Sequence, residues 1–119
     1  MFTQNSIIKE DDIMSTVKVH AGVCKFETTI KVRKTGYTTC EITFESGCPS
    51  VRRMSYVLKN CTVDDVKKSF LESPIYSICA NYLKHVSCPV PAAIIKAIEV
   101  AFDLALAKDV FIEIKRDEY

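Results

Sequence analysis

An α+β domain, with helices packed on one face of a three- to four-stranded, mostly antiparallel sheet, is the fold class that three observations predict. The first part of the chain alternates apolar and polar residues with period two. After Ser46-Gly47 the apolar residues recur at spacings of three and four. The length, 119 residues with 48% hydrophobic and 26% charged content, suits one globular unit and is too short for two ordinary ones. Strands that come first and helices that follow segregate into two layers.

Residues 1–14 show no clear period and carry the acidic trio Glu10, Asp11 and Asp12, so they are expected to form a tail or arm ahead of a single domain over 15–119. In the first strand Val17, Val19 and Ala21 alternate with Thr16, Lys18 and His20, and Gly22 breaks the run. The second places Phe26, Thr28, Ile30 and Val32 on one face and Glu27, Thr29, Lys31 and Arg33 on the other. Lys34-Thr35-Gly36 signals a hairpin, and the third strand opposes Cys40, Ile42 and Phe44 to Thr39, Glu41, Thr43 and Glu45. Such clean alternation predicts a sheet with one wet face.

Pro49 suits a first helical position, and Val51, Met54, Val57 and Leu58 continue an apolar face up to Asn60. Thr62-Val63-Asp64-Asp65 is the signature of a helix start with acids in its first turn, with Cys61 placed to staple onto Val66. Ser73-Pro74 opens a third helix through Ile75, Ile78, Cys79, Tyr82 and Val86. Ser87-Cys88-Pro89 opens a fourth that runs to about Ala107. This last helix is apolar almost all round, with only Lys96, Glu99 and Asp103 as a polar stripe, so it is expected at the centre, against the sheet. Val110–Ile114 reads as a closing strand of undetermined direction, giving the order βββααααβ.

Composition excludes several functions. Sixteen Lys+Arg against fifteen Asp+Glu leave a net charge of +1, so no surplus favours nucleic acid or an anionic membrane. No apolar stretch is long enough to span a bilayer, and the first residues lack a basic region followed by an apolar run; a cytosolic protein with reduced thiols is expected. With only Gly22, Gly36 and Gly47 there is no glycine-rich phosphate loop. No Gly-x-Ser-x-Gly or His-Glu-x-x-His motif occurs, carboxylates lie on exposed faces, and aromatic residues do not alternate with bases.

Six cysteines in such a chain stand out. If the first three strands reverse in turn, the connection carrying Cys24 and the exit carrying Cys48 fall at the same end of the sheet. Cys48 and Cys88 each precede a proline at an expected helix start, where unpaired backbone N–H groups and the helix dipole favour a thiolate. His85 lies three residues before Cys88. Cys24, Cys48, Cys88 and His85 together make a Cys₃His set of the kind zinc takes, and an iron–sulfur cluster would use the same thiols with Cys79 in place of His85. No C-x₂-C pair supports the set by spacing. Packing alone, or metal-free thiol chemistry such as sulfur transfer or redox sensing, are the competing readings. Cys40, Cys61 and Cys79 fit packing positions, His20 falls on the polar side of its strand, and Arg52-Arg53 read as a solvated pair.

The runs Val19-His-Ala-Gly-Val-Cys24-Lys-Phe26, Glu45-Ser-Gly-Cys48 and His85-Val-Ser-Cys88-Pro-Val-Pro-Ala-Ala-Ile-Ile-Lys-Ala-Ile-Glu-Val-Ala101 resemble a small uncharacterised family of methanogenic archaea and anaerobic bacteria. The resemblance extends from about Thr16 to Ile114; Ala107 stands where members usually have proline. Gly47-Cys48 and Ser87-Cys88-Pro89 also resemble the TSCPD cysteine domain attached to some ribonucleotide reductases, with Val90 where that motif has aspartate. These likenesses imply a cytosolic, often anaerobic setting and thiolate metal chemistry. The leading expectation is a small accessory protein that binds zinc or an iron–sulfur cluster, or handles sulfur. The alternative is a metal-free protein–protein interaction or homo-oligomeric module, and an enzyme with its own catalytic cycle ranks third.

Overall fold

Alternation in the first half of the chain builds a four-stranded antiparallel meander. A computed structural model describes residues 13–118, so most of the arm expected over residues 1–14 lies outside the described residues. The strands are β1 (Ser15–His20), β2 (Glu27–Lys34), β3 (Thr39–Ser46) and β4 (Asn60–Thr62), in the spatial order β1-β2-β3-β4. The helices are α1 (Pro49–Met54), α2 (Pro74–Tyr82) and α3 (Val90–Ala101). The α+β class and the packed and wet faces of the sheet are as the sequence predicts.

Val19, Thr28, Ile30, Val32, Cys40 and Ile42 are buried on one face. The opposite face carries the cross-strand ion pairs Arg33 with Glu41 at 3.0 Å and Lys31 with Glu45 at 3.5 Å, and a His20–Glu27 contact at 3.1 Å. Pairs exposed to solvent add at most about 1 kcal/mol each. The fold therefore depends on the packed face.

That face is covered chiefly by α3, which packs on β1 and β2. Ala93, Ala97 and Ala101, one turn apart, are all buried, and Ile94 and Ile98 are fully so. Methyl side chains on one row let a helix backbone approach its neighbour closely. The closeness is direct: the buried Ser15 hydroxyl donates to the Ala97 carbonyl at 2.6 Å.

Several boundaries differ from expectation, each for a local reason. The helix expected from Pro49 to Asn60 stops at Met54. Ser55 turns the chain by donating its hydroxyl to the Arg52 carbonyl at 2.6 Å, and Val57 is exposed. Leu58 alone returns to the core. The next three residues form β4, with Cys61 opposite Cys40. A strand of three residues is too short to declare a period. Cys61 is thus a strand residue, buried in the core against which Val66 also packs.

The predicted capping at Thr62 does form. Its N–H donates to Asp65 Oδ2 at 2.8 Å, and its side chain accepts from the Asp65 N–H. What it starts, however, is a single 3₁₀ turn over Val63–Val66. In α2 the Ser73 hydroxyl accepts from the Tyr76 N–H at 3.2 Å, and the helix ends at Tyr82, leaving Val86 exposed.

At its C-terminus α3 ends at Ala101, short of the expected Ala107; Asp103 adopts a positive φ of 58° that breaks the helix. Val110–Ile114 pairs with no strand among the described residues, and its side chains are exposed. The fourth strand therefore comes from the middle of the chain, not its end, and the order is βββαβαα. An alternating pattern prepares a segment for a sheet, but pairing requires a partner edge at hand.

The tight seat of α3 predicts that Ala97→Leu lowers stability by about 1–3 kcal/mol through overpacking. Lys96→Ala, one residue away and exposed, should change it by less than about 0.5 kcal/mol. Urea denaturation checks both, and equal midpoints for the two variants would contradict this packing.

Candidate thiol site

Strand register determines where the first two cysteines emerge. His20 pairs with Glu27 and Thr28 with Ser46, so the β1–β2 connection and the exit from β3 share one end of the sheet. The connection is a tight reversal closed by Ala21 N–H to Phe26 O at 3.2 Å and Lys25 N–H to Gly22 O at 2.8 Å. Gly22 and Lys25 both take positive φ, 83° and 62°, on either side of a 3₁₀ turn over Gly22–Cys24 that leaves Cys24 exposed. The next residue, Phe26, lies against Gly47. A Cβ there would stand 3.3 Å from the Phe26 ring, and Gly47 N–H donates to Glu27 O at 3.3 Å. The two cysteine-bearing segments are thus stitched together.

Cys48 is the N-cap of α1, half-buried, with Pro49 at the first helical position. Its backbone N–H donates to the Ser46 hydroxyl at 3.0 Å, and that hydroxyl pairs with Thr28 Oγ1 at 2.7 Å. Its carbonyl accepts the first helical bond, from Arg52 N–H at 3.0 Å. The backbone around this thiol is well tied down.

Cys88 reaches the same region from the other direction. It lies just ahead of α3, half-buried, at the close of a turn in which its N–H donates to His85 O at 3.1 Å. Its thiol is shifted upward. Burial is the largest cause, the Val90 N–H bonded to it acts the other way, and the neighbouring Cys48 and Cys24 add to the rise. The expectation that a helix start would favour the thiolate at Cys88 is corrected here, because desolvation outweighs the backbone N–H. Cys88 is thus within electrostatic range of Cys24 and Cys48. Cys79, from α2, feels Cys88 in turn from the buried side.

His85 shares the turn with Cys88, and it is exposed. Among the described residues, no group of three or more His, Cys, Asp or Glu side chains is drawn together tightly enough to hold a metal. The remaining thiols are core. Cys40 and Cys61 face each other across β3 and β4, and Cys79 is buried in α2. Burial pushes them up from 9.0 to about 11, about 12 and about 12 respectively. His20 pairs with Glu27 on the wet face, and Arg52 and Arg53 are exposed in the last turn of α1. The electrostatic link from Cys79 to Cys88 had no legible spacing, because it arises from α2 packing on α3.

Residues 15–114 match the model of a family of unknown function, DUF6951. The chain belongs to that family. No curated protein and no solved structure matches it. Among the described residues no helix is long and apolar enough to cross a membrane.

The buried thiols give a pH dependence with a definite sign. Cys40, Cys61 and Cys79 keep their protons in the folded state to about 11 or 12, whereas unfolded thiols lose theirs from about 9. Below pH 9 both states are protonated and the full stability is present. From pH 9 upward ionisation favours the unfolded chain, so stability falls until the folded thiols titrate as well. The urea midpoint should fall between pH 8 and pH 10, with a shallower fall in Cys79→Ala; a slope unchanged by that substitution would contradict the assignment.

Proposed function

We propose that this chain is a small thiolate metal-binding accessory protein, with Cys24, Cys48 and Cys88 as ligands and His85 as the fourth position. One observation supports the reading above all. Strand register puts Cys24 and Cys48 at one end of the sheet, and both contribute to the upward shift of the Cys88 thiol. Cys40, Cys61 and Cys79 are core residues, whereas Cys24 is exposed and Cys48 and Cys88 pack only partly against the core.

The parts differ in exposure in a way that suits metal capture. Cys48 and Cys88 are half-buried, while Cys24 rides on an exposed four-residue reversal and His85 is exposed. The first two would receive a soft cation, and the reversal and His85 would close on it. Thiolate and imidazole donors select zinc, or iron in a cluster, over hard cations. A cytosolic, reducing setting would keep the thiols available.

Metal analysis of protein purified without oxygen, followed by zinc titration, tests this. About one zinc per chain is expected, with a thiolate absorption band on substituting cobalt. Cys88→Ser should abolish uptake and Cys24→Ser or Cys48→Ser weaken it at least about tenfold, whereas Cys40→Ser leaves it unchanged. Uptake below about 0.2 metal per chain, or equal loss in Cys40→Ser, would overturn the reading.

A further inference from the structure

The final segment and the first strand each leave something unpartnered. Among the described residues β1 is the edge of the sheet, with β2 on one side only. Ala21 N–H bonds to Phe26 O, so by alternation the backbone groups of Thr16, Lys18 and His20 point outward from that edge. The C-terminal segment Val110-Phe111-Ile112-Glu113-Ile114 alternates like a strand, yet Val110 is 58%, Phe111 87%, Ile112 75% and Ile114 88% exposed. Apolar side chains exposed in a row are rare on a finished surface.

Among the described residues the two bound the same cleft but form no strand pairing within one chain. Val110, Phe111 and Ile112 form one wall of a cleft of about 1010 Å³ whose other walls are β1 and the α3 residues Ala92 and Lys96. The connector is held in its course by Leu104 N–H to Glu99 O at 2.8 Å and Asp103 N–H to Val100 O at 3.1 Å. The chain measures 66 Å along its long axis against 27 and 26 Å across.

We infer that the cleft along β1 receives the Val110–Ile114 segment of a second copy of this chain, and that two copies exchange these segments as added strands of each other's sheets. The chemistry matches on both faces. Val110, Ile112 and Ile114 fall on one side of a strand and would lie over α3, while Glu113 falls on the other, the face on which β1 presents exposed Lys18. The area suffices as well. Three large apolar side chains at roughly 100–200 Å² each, counted with the cleft surface they cover and doubled by reciprocity, approach the ~1,600 Å² of a stable interface. Exchange also removes the exposed edge of β1, which otherwise invites uncontrolled pairing.

Light scattering on the full chain, together with amide exchange, tests the exchange. The expected mass is twice that of one chain, with slow exchange at Lys18 and His20. The Ile112→Asp/Ile114→Asp double variant, altered only at exposed positions, should have half that mass, an unchanged circular dichroism spectrum and fast exchange at both amides. A monomeric full chain overturns the inference, whether its β1 edge is unprotected or covered by its own segment. So does a dimer that survives the double variant. These outcomes are independent of metal uptake, so failure here leaves the thiol site untouched and the converse also holds.

Discussion

The seat of α3 on β1 and β2 is the contact on which the rest of the molecule depends. Ala93, Ala97 and Ala101 are short enough for the helix to approach the sheet, and Ser15 bonds directly to the Ala97 carbonyl. That bond ties the start of β1 to the second half of α3. The first residues of the helix then lie toward the opposite end of β1, where the β1–β2 reversal carries Cys24. Cys88, immediately ahead of α3, comes within electrostatic range of the other thiols because of where this helix is anchored. Core packing and site geometry are one constraint here. A larger side chain on the alanine row would displace the sulfur as well as loosen the core.

Two opposing effects determine the character of the thiols. Backbone N–H groups at helix starts favour a negative sulfur, and removal from water disfavours it. At Cys88 burial wins, and neighbouring thiols deepen the effect. At Cys40, Cys61 and Cys79 burial is the largest cause of the rise, leaving them as members of the core. The chain thus divides its six cysteines into three buried ones and three that are exposed or half-buried. A soft cation would reverse the balance at Cys88, since its charge would replace the proton that burial retains.

Much of the architecture was legible because period two and period 3.6 leave different marks. Val17-Val19, Ile30-Val32 and Cys40-Ile42 declared their strands, and the hairpin signal at Lys34-Thr35-Gly36 fixed their succession. From that meander alone the shared end for Cys24 and Cys48 follows. Where elements are short or depend on distant partners, the pattern carries less. Asn60–Thr62 became a strand because β3 offered an edge, and Thr62 received its capping box without an α-helix to follow. Val110–Ile114 has a strand's alternation without a strand's pairing in this chain. The nearness of Cys79 to Cys88 depends on how two helices pack, which no local spacing encodes.

Gentle oxidation of the folded chain with diamide, followed by mapping of the disulfides by mass spectrometry, probes the convergence of the three sulfurs most directly. A bridge between Cys88 and either Cys48 or Cys24 within one chain is the expected first product. If Cys88 forms no such bridge while the chain stays folded, the three sulfurs do not share a neighbourhood, and the thiol site has no basis.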